Sequence, residues 1–140
     1  MRLLVDTNVF LNYLLKRESG CKEALEFFIW CRQNRNQTYV TSMSLRDIEY
    51  VAMKAFHNKK EANIILGDVY SICSKVVGVS ADSAINSIYE DYKDFEDELI
   101  IQTAREELLD AIVTNNKEDF VDRGFPVFTP REIVQFASLK

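Results

Sequence analysis

The feature that most constrains this chain is an alternation of short apolar runs with longer segments of helical spacing. Arg2–Val5 (RLLV) predicts a buried strand closed by Asp6, after which Thr7–Leu15 changes to a helical period. Ser19 is placed to cap a second helix through about Arg32, where Ala24, Leu25, Phe28 and Ile29 recur at three- and four-residue steps. Gln37–Thr41 (QTYVT) reads as a second strand, and Ser42 or Ser44 can cap a helix to about Phe56. A helix over Glu61–Lys75, a strand over Val76–Val79, helices over Ala81–Tyr89 and Glu96–Leu109, and a strand over Ala111–Val113 follow. A polar loop, Thr114–Asp119, precedes the last strand at Pro126–Phe128, and Thr129 caps a final helix with Pro130 and Glu132 in its first turn.

Short apolar strands alternating with helices predict an α/β fold. The expected form is a three-layer α/β/α sandwich around a central, mostly parallel sheet of four to five strands. The 140 residues include only four glycines and two prolines, with no low-complexity run or repeat, so one domain spanning 1–140 is expected. In such sheets, ligands sit beyond the carboxyl ends of the strands.

Composition narrows the function classes. A chain that is 47% hydrophobic and 28% charged is neither disordered nor fibrous. No apolar run approaches the ~18 residues needed to span a bilayer, and MRLLVDTNVFL places an Asp where a secretion signal needs apolar residues. A cytoplasmic protein with no membrane role is the expectation. The three cysteines, Cys21, Cys31 and Cys73, have no metal-ligand spacing and only His57 to assist them, so reduced, packed thiols are expected rather than a zinc site. His57 reads as an exposed helix-end residue. A net charge of −5 argues against a nucleic-acid partner, unless acids converge on bound cations that invert the local charge.

The acids do fall where they could converge. Asp6 follows strand one, and Asp47 lies in the first turns of the helix after strand two. Asp94 and Asp97 share one face at a helix start, and Asn116 and Asp119 share the loop after the AIV strand. Oxygen donors from four elements suit hard divalent cations and in-line attack on a phosphate. The plainer role is helix capping, which fits Asp6, Asp94 or Asp97 singly. Capping does not explain acids repeated along the same edge of a sheet.

The strings LLVDTNVFLNYLLKR, TSMSLRDIEYVAMKAF, DFEDELIIQTA and IVTNNKEDF resemble the successive motifs of PIN domains, from Arg2 to the Pro130 helix. They are most similar to those of the VapC-like ribonucleases, many of them toxins of toxin–antitoxin pairs. The resemblance implies a PIN-like sheet and a metal site. Asp6 matches the family's first acid, followed by the hydroxyl residue Thr7. Thr41, as a strand-ending Ser/Thr, places the second acid at Asp47, with Glu49 as runner-up. Asp97 matches the third acid and Asp94 a companion acid. Asn116 stands where an Asp is common, with Asp119 as compensation and Thr114 orienting groups nearby. Asp6, Asp47, Asp97 and Asn116 are thereby implied as catalytic, with Asp6, Asp94, Asp97 and Asp119 as metal ligands.

The implied activity is hydrolysis of single-stranded or looped RNA by water activated on Mg²⁺ or Mn²⁺, with no side-chain nucleophile. Arg2, Lys16, Arg17, Arg46, Lys54, Lys117 and Arg123 are available to hold RNA, although solvated faces account for most of them. An antitoxin protein and a homodimer are the implied partners. Tyr13, Phe27, Phe28 and Trp30 read first as core or dimer packing and second as a base-stacking or partner surface. The alternative is an inactive PIN relative that serves as an interaction module, favoured by Asn116 and by Asp47 where many relatives have Glu. A receiver-like domain fits poorly, because strand one ends in a lone Asp6 and no Asp directly follows strand two. A D-x-D phosphohydrolase start is absent.

Overall fold

The computed structural model describes residues 1–90 and 94–139. Five strands form one sheet in the order β3-β2-β1-β4-β5: β1 (Arg2–Val5), β2 (Gln37–Thr41), β3 (Lys75–Val77), β4 (Ala111–Val113) and β5 (Val127–Phe128). Every pairing is parallel, with Leu4 opposite Tyr39 on one side and Ile112 on the other. The helices are α1 (Thr7–Leu14), α2 (Cys21–Gln33), α3 (Ser42–Phe56), α4 (Lys59–Ile72), α5 (Ala81–Tyr89), α6 (Phe95–Glu106) and α7 (Pro130–Ser138). None is long and apolar enough to cross a membrane among the described residues.

Two cores follow from the twofold alternation of strand side chains. Leu3, Val5, Val40, Ala111 and Val113 point to one face and pack with Phe10, Phe27, Ile48, Ile65 and Ile133 of α1, α2, α3, α4 and α7. Leu4, Tyr39, Val77 and Ile112 point to the other face and pack with Ile100, Ile101 and Ala104 of α6. The expected three-layer α/β/α arrangement is present, with a sheet that is entirely parallel and five strands wide.

Several boundaries differ from expectation for local reasons. The N-cap of α2 is Gly20 rather than Ser19, because the chain turns there with φ +97, and a Cβ at Gly20 would meet Asn12 Nδ2 at 2.4 Å. Thr41, not Ser42 or Ser44, caps α3: its extended backbone lets its hydroxyl accept from the Ser44 N–H at 3.0 Å. Asn58 caps α4 by accepting from the Lys60 and Glu61 N–H groups, so that helix starts before Glu61. It ends at Ile72, and Lys75 instead pairs with Tyr39 in β3, which stops before Gly78. Asp94 caps α6, which ends at Glu106, short of Leu109. The Thr114–Asp119 loop contains a short 3₁₀ helix, Lys117–Phe120.

The minor expectations fared well. Cys31 is buried and Cys21 and Cys73 are partly so, all as free thiols. His57 is an exposed C-cap of α3 with φ +51. Phe27 is fully buried, and Phe28 stacks against Phe10 at 5.3 Å and Tyr13 at 5.8 Å, so the early aromatics are chiefly packing groups.

Candidate active site

The strand order reverses direction at β1: β2 and β3 lie on one side of it, β4 and β5 on the other. In an open parallel sheet this switch point leaves a crevice beyond the carboxyl ends of the two central strands. Asp6 sits at that point. Its N–H donates to the Val113 carbonyl at 2.9 Å, tying the end of β1 to the end of β4. Its side chain accepts from the Thr7 N–H at 2.8 Å, so Asp6 is the cap of α1 as well. The second carboxylate oxygen accepts from the Thr114 hydroxyl at 2.8 Å. Thr114 is fully buried, and its Oγ1 in turn accepts from the Asn116 N–H at 3.0 Å.

Burial pushes the Asp6 carboxyl above its ordinary range, against the two hydrogen bonds that favour the charged form. The charges of Asp119 and Asp47 push it further the same way. Asp119 follows Asn116 on the 3₁₀ helix, and its N–H donates to the Asn116 carbonyl at 3.0 Å. Asp47 is held by α3, where the neighbouring Ile48 is fully buried. Glu49 is two residues on, about 200° around the helix at 3.6 residues per turn, and so faces elsewhere.

The first turn of α6 closes the cluster. Asp94 caps it, accepting from the Glu96 N–H at 2.9 Å, so Asp94 is a cap beside its place in the cluster. Glu96 was not singled out in the sequence, yet its carboxyl hydrogen-bonds to Asp47. That bond, burial and the charges of Asp47, Asp94 and Asp97 push it up to about 7. Its only sequence signal is its position inside DFEDE, between two acids already implicated. The structure thus brings Asp6, Asp47, Asp119, Asp94, Asp97 and Glu96 into one electrostatic neighbourhood. Asn116 joins through its backbone N–H; its side chain makes no capping bond.

The basic candidates divide. Arg2 donates to the Tyr39 hydroxyl at 3.1 Å and the Leu108 carbonyl at 3.1 Å, at the start of β1 and the wrong end of the sheet for the crevice. Lys117 is tied to Glu132 of α7 at 2.8 Å, and Arg123 to Glu98 of α6.

The donor chemistry fits a hard divalent cation: carboxylate oxygens from several elements, two of which, Asp6 chiefly by burial and Glu96 chiefly by its contact with Asp47, hold their protons more tightly than usual. Among the described residues, no three such groups already stand at ligand separation. To hold an ion, the side chains would have to close around it.

Comparison with known proteins bears on the family and the fold. A family model for the PIN domain matches residues 2–118. The chain belongs to the PIN-domain family. No curated protein sequence matches it. Among solved structures, this PIN domain is similar to VapBC2 from Rickettsia felis bound to a promoter DNA fragment, with TM-score 0.69 and 20% identity over 91% of this chain and 97% of that one. It is also similar to a toxin–antitoxin complex from Klebsiella pneumoniae, with TM-score 0.67 and 24% identity over 93% and 98% of the two chains. A third similar structure is Mycobacterium tuberculosis VapC20, described as a sarcin–ricin loop cleaving toxin, with TM-score 0.68 and 15% identity over 88% and 95%. At these identities the likeness is one of fold.

Proposed function

We propose that residues 1–140 act as one metal-dependent endoribonuclease on single-stranded or looped RNA, using Mg²⁺ or Mn²⁺, as the toxin of a toxin–antitoxin pair. The observation that carries this reading is that Asp47 and Asp119 crowd Asp6 at the sheet's switch point, while Glu96, Asp94 and Asp97 of the α6 start crowd toward the same Asp47. A bound divalent ion supplies acidified water and offsets charge on the phosphate.

The chain's own residues have distinct roles. Asp6 and Asp97 hold the ion, with Asp94 and Asp119 in support. The Thr114 hydroxyl and the Thr7 N–H each occupy one oxygen of Asp6 and fix its plane. Asp47 and Asn116 orient the attacking water. Glu96, hydrogen-bonded to Asp47, can hold a proton near neutral pH and so steady that carboxylate.

The substrate and partner classes rest on the relatives. The mycobacterial structure is a toxin described as cleaving the sarcin–ricin loop, and the Klebsiella structure is a toxin–antitoxin complex. The early helices also leave a surface for such a partner or a second copy. A cavity of about 440 Å³ lies between α1, α2 and α4, lined by Leu25, Phe28, Ile29 and Ile72 among others. Leu25 and Ile29 are 39% and 46% exposed there, while Phe27 is committed to the core.

The test is RNA cleavage with Mg²⁺ or Mn²⁺ by wild type, Asp6→Asn and Asp97→Asn. Loss of cleavage in both variants with the fold intact supports the assignment; equal cleavage by all three proteins refutes it. A second reading, a PIN-fold interaction module without catalysis, is favoured by Asn116 in the fourth acid position. It prevails if wild type neither binds Mn²⁺ nor cuts RNA.

A further inference from the structure

The acid cluster has two walls, and like charges drive them apart. One wall is the start of α6, with Asp94, Glu96 and Asp97; the other is the 3₁₀ helix, with Asn116 and Asp119. Behind the cluster, Glu98 is only 1% exposed, although it adjoins Asp97 in sequence and its N–H donates to the Asp94 carbonyl at 3.1 Å. A carboxylate is buried at that level only when paired. Its partner is Arg123, which comes from the segment after the 3₁₀ helix, and whose side chain is 16% exposed. The Gln102 amide donates to the same Glu98 oxygen at 2.9 Å. The Arg105 guanidinium of α6 donates to the Arg123 carbonyl, so Arg123 is tied to this helix at both its side chain and its backbone. Glu90, the C-cap of α5, adds a second carboxylate beside Arg123 at 3.5 Å.

We propose that the Arg123–Glu98 pair is a positioning clasp, which fixes the rotation of α6 and its separation from the 3₁₀ helix so that the side chains of Asp94 and Asp97 can close with Asp6 and Asp119 around a cation. This rests on the metal-dependent reading above.

The buried side chains Ile100, Ile101 and Ala104 already hold α6 against the sheet, but apolar contact is non-directional and tolerates small slides. A charge-assisted hydrogen bond from a guanidinium to a buried carboxylate is directional and does not. The geometry is demanding. A rotation of ~20° about the helix axis carries a carboxylate ~6 Å from that axis through about 2 Å. Ligand distances tolerate only about 0.2 Å. Beside the Lys117–Glu132 and Arg123–Glu90 pairs, whose carboxylates are 42% and 43% exposed, this pair has a fully buried carboxylate, and it ties α6 to the segment that follows the 3₁₀ helix.

The experiment compares wild type with the double variant Glu98→Gln/Arg123→Met, and with the single variants Glu98→Gln and Arg123→Lys. Mn²⁺ affinity is measured by electron paramagnetic resonance, together with thermal denaturation and kcat and KM on RNA. Neutralising both members of a buried pair is often tolerated, whereas stripping one leaves a stranded charge, so the double variant is expected to fold. It should bind Mn²⁺ at least tenfold more weakly and lose at least tenfold in kcat, with KM for RNA within twofold of wild type. Arg123→Lys should recover part of both losses. If the double variant fails to fold, the same Mn²⁺ comparison is read from Glu98→Gln. A folded variant with wild-type Mn²⁺ affinity and kcat overturns the clasp while leaving the nuclease reading intact. Failure of wild type to bind Mn²⁺ overturns both.

Discussion

The Thr114 hydroxyl donates to Asp6 across 108 residues of sequence at 2.8 Å, and the same oxygen accepts from the Asn116 N–H. This short relay couples the central acid to the loop that carries the fourth site position. Thr114→Val keeps the shape and removes the donor. A hydrogen bond to a charged group contributes ~1.5–3 kcal/mol, so stability at neutral pH should fall by about that much. Partners that orient a metal ligand typically contribute ~10–100-fold to affinity or activity. Mn²⁺ titration and RNA cleavage should register a loss in that range, and an unchanged Mn²⁺ affinity would remove Thr114 from the site.

The metal-free protein should become more stable as pH falls toward 5. Glu96 is pushed up to about 7, chiefly by its hydrogen bond to Asp47, from an ordinary value of 4.5. A carboxyl raised on folding contributes stability that is present below the unfolded value and is lost as pH rises through the folded one. Between pH about 4.5 and about 7, the melting temperature of the chelator-treated protein should therefore decline, and Glu96→Gln should flatten that slope. Because Glu96 is substantially exposed, solvent screens the effect and it should be small. A slope unaltered in Glu96→Gln would assign the effect to other groups.

Asn116→Asp should move stability and metal binding in opposite directions. A further carboxylate adds like charge beside Asp6 and Asp119, so the metal-free form should melt lower. Added ligand charge strengthens divalent binding, and Mn²⁺ affinity should rise by roughly tenfold. Paired thermal melts with and without Mn²⁺ read both effects at once. A variant stabilised without metal would contradict the picture of a crowded acid cluster.

Gly20→Ala should be costly for a position outside the site. The residue has φ +97, and a Cβ would stand 2.4 Å from Asn12 Nδ2, which is itself mostly buried. Left-handed backbone costs an L-residue ~1–2 kcal/mol before the clash is counted, so a loss of roughly 2 kcal/mol or more is expected. Thermal denaturation should show a drop of about 5–10 °C. A drop of under a degree would mean that Asn12 yields freely.

Much of the fold was readable because burial and period agree. RLLV, AIV and QTYVT are strands whose neighbouring side chains serve opposite cores, and their residue types say so directly. The misplaced boundaries turn on backbone geometry that residue type does not reveal: the positive φ at Gly20, and the extended Thr41 whose hydroxyl rather than that of Ser42 or Ser44 reaches a free N–H. At the candidate site, Asp6, Asp47, Asp94, Asp97 and Asp119 were legible from their place at strand and helix ends. Glu96 was not, because within DFEDE nothing local distinguishes the acid that turns toward Asp47 from those that do not. The Glu98–Arg123 pair was equally hidden, since a charged residue on a helix normally reads as a solvated face.

Because β1 lies in the middle of the sheet, the acid that the chain presents first has its partners at the far end of the sequence. A partly synthesised or truncated polypeptide carries Asp6 without Thr114, Asn116 or Asp119. The candidate site is thus a property of the finished fold, and any activity it supports would be withheld until the later strands have docked.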